Sequence, residues 1–161
     1  MFGYRPSQCR VVHNGADTQR FHPHDEQALR RELGIGDQEF VVGMFASFKK
    51  QKNHPLFFNA ARRVLQRLPQ TRLLLVGDEH GGMQGSDACK RDMDRLVDEW
   101  DIRERCLFLG NRHDVDLFYY ACDLTVLPSL FEGTPNVALE SMACGVPVIT
   151  TQVSDNVQSH S

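Results

Sequence analysis

The sequence is poor in the features that mark specialised classes of protein. Its longest apolar stretches, such as Leu73 to Val76 and Val146 to Ile149, fall far short of the ~20 residues that a membrane-spanning helix needs. Positive charge is not in excess. Lys and Arg number 18 against 21 Asp and Glu, a net charge of -3, so no broad positive field favours nucleic acid or an anionic membrane, and any anion must be bound by local geometry. Cys9, Cys89, Cys106, Cys122 and Cys144 are odd in number and form no CxxC pair, which argues against a disulfide framework or structural zinc and for buried free thiols. His22 and His24 flank a proline and the other histidines are isolated, without the i, i+4 spacing of a helical metal site, so no metal is expected. The run Gly77-Asp78-Glu79-His80-Gly81-Gly82 lacks GxGxxG spacing and a P-loop Lys-Ser/Thr; it predicts a mobile loop near a cleft and speaks against dinucleotide or ATP binding. No repeat, low-complexity tract or Pro/Ser-rich linker divides the chain, and Met1 to Pro6 lacks the apolar core of a secretory signal, so one domain over residues 1–161 in a cytoplasmic setting is expected.

What the sequence does contain is ordinary for a globular chain, with 41% hydrophobic and 24% charged residues, and it is organised by alternation. Short runs rich in Val, Leu and Phe at Arg10 to His13, Phe40 to Phe45, Arg72 to Val76, Cys106 to Leu109, Leu124 to Leu127 and Pro147 to Thr150 read as strands. Between them lie segments of helical period, so the fold class is α/β, with βαβ units closing a parallel sheet. The clearest helix is capped by Asn53 and carries Leu56, Phe57, Ala60, Ala61, Val64, Leu65 and Leu68 as its apolar stripe before Pro69. Further helices are predicted over Asp25 to Leu33, ended by Gly34 and Gly36, over Asp87 to Trp100, and over Asp114 to Ala121, where Val115, Leu117, Phe118 and Tyr119 are apolar. The chain opens on a strand of inter-domain character and stops just after another, in Ser154 to Val157; both ends read as cuts in a longer protein.

Ligands of parallel α/β sheets bind at the carboxyl ends of the strands, which directs attention to the loops there. After Leu127 comes Pro128-Ser129-Leu130-Phe131-Glu132-Gly133-Thr134-Pro135-Asn136. Thr134 is a natural N-cap, Pro135 suits a first helical turn, and Gly145 followed by Pro147 supplies the stop. The start of that helix, preceded by Gly133, offers free amides and the positive end of the helix dipole to an anion such as a diphosphate. Glu132 before the helix and Glu140 about one and a half turns inside it are placed to bracket a ligand and accept from sugar hydroxyls. Spacing alone equally allows a loop acid near a helix N-terminus and a solvent-facing helix acid.

Pro128-Ser129, Glu132-Gly133, Asn136, Leu139-Glu140, Met142-Ala143 and Gly145-Val146-Pro147-Val148-Ile149 together resemble the signature of glycosyltransferase family 4, whose two glutamates have this same spacing. The resemblance spans nearly the whole chain. Val12-His13-Asn14-Gly15-Ala16-Asp17 with Phe21 and Pro23 resembles the family's entry into its C-terminal domain, and Val76-Gly77-Asp78, Phe108-Leu109-Gly110 and Ala121-Cys122-Asp123-Leu124 follow at familiar spacing. The resemblance implies a Rossmann-like three-layer domain, the C-terminal half of a GT-B fold, with the N-terminal acceptor-binding domain absent. It implies that Glu140 holds the donor ribose, Glu132 faces the transferred sugar, and the amides of Gly133 and Thr134 meet the diphosphate. Within Ala46-Ser47-Phe48-Lys49-Lys50-Gln51-Lys52-Asn53, Lys52 aligns with the family's diphosphate-binding lysine, while Ser47 stands where an arginine is common, with Lys49 and Lys50 as alternative cations. Arg112, in the Gly110-Asn111-Arg112-His113 loop, aligns with the base-cradling region, where a guanidinium stacks well.

The implied activity is transfer of a hexosyl group from a UDP-sugar or GDP-sugar to an acceptor with retention, no metal being required because Lys52 stabilises the departing diphosphate. The acceptor, a sugar, lipid or other small molecule, would enter through the absent domain, as would any peripheral membrane association; no nucleic acid is expected, and the fragment alone would not turn over. Two other readings stay open: a non-catalytic nucleotide-sugar-binding or regulatory module, and a nucleotide-sugar epimerase of GT-B-like fold.

Overall fold

A computed structural model describes residues 10, 12–24, 27–77 and 86–153. Among them a five-stranded, all-parallel sheet has the order β3-β2-β1-β4-β5, with β1 Phe40–Phe45, β2 Thr71–Val76, β3 Cys106–Phe108, β4 Leu124–Leu127 and β5 Val148–Thr150. The helices are α1 Gln27–Glu32, α2 His54–Arg67, α3 Ser86–Glu99, α4 Val115–Tyr120 and α5 Asn136–Ala143.

The near-continuous apolar strands are explained by burial on both faces, as parallel sheets require. Val42 and Met44 point with Leu73 and Leu75 into one core, filled by Phe57, Phe58 and Ala61 of α2 and Met93 and Val97 of α3. The alternate residues Val41, Phe45, Leu74 and Val76 form a second core with Phe21, Phe118, Tyr119, Ala121 and Cys144. Three layers result. Cys106, Cys122 and Cys144 are buried thiols, Cys89 is half-buried, and Cys9 lies outside the described residues.

Several expectations need correction. Arg10, Val12 and His13 are not in a strand; this segment instead reaches α5, through Asn14 Nδ2 donating to Asn136 Oδ1 at 3.0 Å. On α2 the buried arc is His54, Phe57, Phe58 and Ala61, while Leu56 is 43% exposed and Ala60 is exposed. Asn53 precedes α2 in a left-handed conformation, φ 54° and ψ 48°, and makes no side-chain cap. Of the helix expected over Asp25 to Leu33, Gln27–Glu32 is observed, Asp25 and Glu26 lie outside the described residues, and Gly34, at φ 66°, follows its end as expected.

The chain runs from β1 outwards to β2 and β3, then returns to place β4 on the other side of β1. The connections after β1 and β4 therefore leave in opposite directions, which opens a crevice between them at the carboxyl end of the sheet. Asp123, at the opposite end, is structural: its Oδ2 accepts the Val41 amide at 2.7 Å and pairs with Arg30 at 3.3 Å.

Candidate functional site

An open cleft of about 300 Å³ lies at this crevice, lined by Phe45, Ala46, Ser47, Lys52, Asn111, Arg112, Tyr119 and Glu140 among others. Ser47 and Lys52 arrive on the connection after β1, Arg112 after β3 and Glu140 from the second turn of α5. Four of the seven residues singled out in the sequence thus share one cavity. Its floor depends on Gly77, at φ 141°, where an added Cβ would stand 2.0 Å from the Ala46 carbonyl oxygen. Only a glycine lets the two strand ends approach so closely. The rest of the glycine-rich run, residues 78–82, lies outside the described residues.

Glu132 joins the cleft through a charge pair. Lys52 Nζ lies 2.6 Å from Glu132 Oε1, with side chains 19% and 10% exposed, and the hydroxyl of buried Ser129 donates to the same oxygen at 2.7 Å. Two more bonds stitch the same loops together: the Leu130 amide donates to the Gln51 carbonyl at 2.8 Å, and Gln51 Nε2 donates to the Phe131 carbonyl at 2.8 Å. A single 3-10 turn, Lys50–Lys52, sets Gln51 and Lys52 in this register. The positive field of Lys52 reaches His54, which is 1% exposed. Burial first, and Lys52 second, hold its imidazole down to about 4, so it is neutral at physiological pH.

Glu140 Oε2 accepts a hydrogen bond of 2.9 Å from the hydroxyl of Tyr119, a fully buried residue. Arg112 is committed to Asp114 by bonds of 2.9 and 2.7 Å and sits over the Phe118 ring at 5.0 Å. Gly133 and Thr134 are not among the lining residues. The expected cap at Thr134 is corrected as well: Pro135, at φ -78° and ψ 108°, is the cap residue, and its carbonyl accepts from Ala138 at 3.1 Å. The helical dipole therefore begins at Asn136, beyond both residues. Lys49 does not line the cleft, and Lys50 lines a separate hollow with Asn53, Pro55 and Cys89, so Lys52 is the lysine of this cavity.

Sequence reasoning missed Tyr119, His54, Gln51 and Ser129. A phenol on an otherwise apolar helix face was a usable signal for Tyr119, since a buried hydroxyl must find a partner. His54 and Gln51 pack or pair with distant parts of the chain and carry no local pattern, whereas Ser129 bonds to Glu132 only three residues on, a spacing open to inspection in the sequence. No group of three or more His, Cys, Asp or Glu suited to a metal occurs among the described residues, and no helix among them is long and apolar enough to cross a membrane.

The arrangement combines the cations Lys52 and Arg112, the carboxylates Glu132 and Glu140 and a crevice at the strand ends, and relatives share its frame. The chain is 36% identical over 151 residues to the D-inositol 3-phosphate glycosyltransferase of Mycobacterium sp. strain JLS, an alignment covering 92% of this chain and 33% of that protein. The chain thus spans about a third of the length of the curated relatives it matches. Anabaena HepE, solved in complex with UDP, matches with a TM-score of 0.86 at 28% identity, over 97% of this chain and 42% of HepE. A solved C-terminal domain of a glycosyl transferase group 1 family protein from Francisella tularensis matches with a TM-score of 0.74 at 25% identity, over 86% of this chain and 71% of that one. The family model for group 1 glycosyl transferases matches residues 39–160, from the start of the sheet through every element of the cleft, and the chain belongs to that family.

Proposed function

We propose that this chain is the nucleotide-sugar-binding, C-terminal part of a retaining GT-B glycosyltransferase of family 4, and that catalysis is completed by an N-terminal domain that brings the acceptor. The carrying observation is the convergence of Ser47, Lys52, Arg112 and Glu140 on one cleft, with Glu132 held against Lys52 at 2.6 Å. In this reading the donor ribose is held by Glu140 and the base lies toward Arg112. Lys52 meets the diphosphate with Ser47; the amides of Gly133 and Thr134, outside the lining of the cleft, are assigned to it on the family resemblance alone, and Glu132 receives the transferred sugar. Lys52 then supplies the fixed positive charge that a departing nucleoside diphosphate needs, with no metal in the scheme. A UDP-sugar or GDP-sugar is the proposed donor; HepE has been solved with UDP-glucose, which supports the uridine form.

The test is a thermal-stability titration with UDP, GDP and ADP, since a ligand that binds only the folded state raises its melting temperature with RT ln(1 + [L]/Kd). One nucleotide is expected to raise it, and Glu140→Ala to abolish that rise. No shift with any of the three, in a chain shown to be folded, overturns the proposal.

A further inference from the structure

Tyr119 occupies a place where a phenylalanine would pack as well. Its ring is fully buried and lies on Phe45 with centroids 3.9 Å apart and planes 18° from parallel, while Phe21 meets it edge-on at 6.0 Å. Nothing in that apolar surround asks for a hydroxyl, and burying one is unfavourable unless it is bonded. The hydroxyl is nevertheless present, and its 2.9 Å bond is to Glu140 Oε2, with the Val137 carbonyl further off at 3.5 Å. Burial first, and the charge of Glu140 second, raise the phenol far above the ordinary tyrosine value. It is therefore a permanent donor.

The bond links α4 to α5, two helices that reach the cleft from different βαβ units, and both residues line the cavity. A glutamate has three side-chain torsions to fix before it can meet a ligand, and ordering them opposes binding. Tyr119 stands on a short helix whose ring is clamped by Phe45 and Phe21, so its hydroxyl is a fixed point from which one carboxylate oxygen is held. The second oxygen and the remaining lone pair of the first are left to accept from a ligand, and the two hydroxyls of a vicinal diol can both donate to a carboxylate held in this way.

We infer that Tyr119 is a positioning residue: its hydroxyl fixes the rotamer of Glu140 and so makes the site select a ribonucleotide over its dideoxy form. The inference rests on the assignment of Glu140 to the ribose made above. It gives a buried tyrosine a role in specificity through a carboxylate on the next helix, 21 residues along the chain.

The experiment measures binding of UDP and 2′,3′-dideoxy-UDP, and of the matching GDP and ADP pairs, to the full chain, to Tyr119→Phe, to Glu140→Ala and to the double variant by titration calorimetry. The parent is expected to prefer the ribonucleotide. Tyr119→Phe is expected to lose roughly tenfold in affinity for it, as for one hydrogen bond to a charged group, with the dideoxy form bound as before. In the Glu140→Ala background the tyrosine substitution is expected to change nothing further. A Tyr119→Phe chain that keeps the full preference, or loses affinity equally for both forms, overturns the inference and leaves the donor site standing. A parent that binds none of the nucleotides, or does not distinguish the two forms, overturns the assignment of Glu140 and the inference with it.

Discussion

His54 gives the fold a calculable dependence on pH. It is the first residue of α2, 1% exposed, edge-on to Phe48 at 5.3 Å and with Nδ1 3.7 Å from the Cys89 sulfur. Its imidazole is held at about 4 against an ordinary 6.5, by burial and then by Lys52. The unfolded chain thus takes up this proton at a higher pH than the folded one. Stability from this residue is complete above pH 6.5, falls as the pH drops through the window from 6.5 to about 4, and levels off below it. Between pH 7 and pH 5 the two values give a loss of about 2 kcal/mol, a large part of the ~5–15 kcal/mol that holds a domain together. The assay is equilibrium urea unfolding at both pH values, followed by the fluorescence of Trp100, the single tryptophan, which packs partly buried against the same core. The parent is expected to lose about 2 kcal/mol more than His54→Gln on acidification. Pairing the two chains cancels the histidines they share. Equal pH dependence in both, within about 0.5 kcal/mol, refutes the burial of a neutral imidazole at this point.

Gly77→Ala is expected to cost at least about 3 kcal/mol in urea unfolding, because the new Cβ meets the Ala46 backbone, whereas Gly133→Ala, with nothing within 4 Å, is expected to stay within about 0.5 kcal/mol; equal tolerance of the two contradicts the close approach. Glu132→Gln removes the counter-charge of Lys52 and is expected to tighten the binding of bare UDP by up to about tenfold, since the pair lies between exposed and fully buried. That gain shrinks as salt rises. Calorimetry showing UDP bound no better at low salt removes Lys52 from the diphosphate. The substitutions at Glu140 and Tyr119 set out above complete the set.

Strands β1 and β2 are legible in the sequence because burial on both faces leaves near-continuous apolar runs, and the edge strand β5 is legible by the same apolar composition although Ile149 is 57% exposed. The strand order yields the crevice, and Lys52, Ser47, Arg112 and Glu140 are legible as its lining through the family resemblance. The α2 stripe is misread at Leu56 and Ala60 because the helix lies against both the sheet and α3, which turns Phe58 inward. Periodicity reports that a helix has an apolar arc; its neighbours decide where the arc is centred. Thr134 has the chemistry of a cap, but the carbonyl of Pro135 takes the first helical bonds, and helix ends are the least determined part of any pattern. Arg10 to His13 has strand composition, yet a strand exists only when a neighbour accepts it, and none pairs with Arg10, Val12 or His13 among the described residues. The Lys52 and Glu132 pair joins two loops each recognisable alone; that one neutralises the other is a property of the crevice.

The stitching of those loops has a mechanical consequence. Of the three links, only the contact between Lys52 and Glu132 is between charged side chains; the other two join the Leu130 amide to the Gln51 carbonyl and the Gln51 side-chain amide to the Phe131 carbonyl. A diphosphate that draws Lys52 away would break one link and leave the two uncharged ones intact. Charge would then be exchanged on a fixed frame, with the ordering of both loops already met when the chain folded.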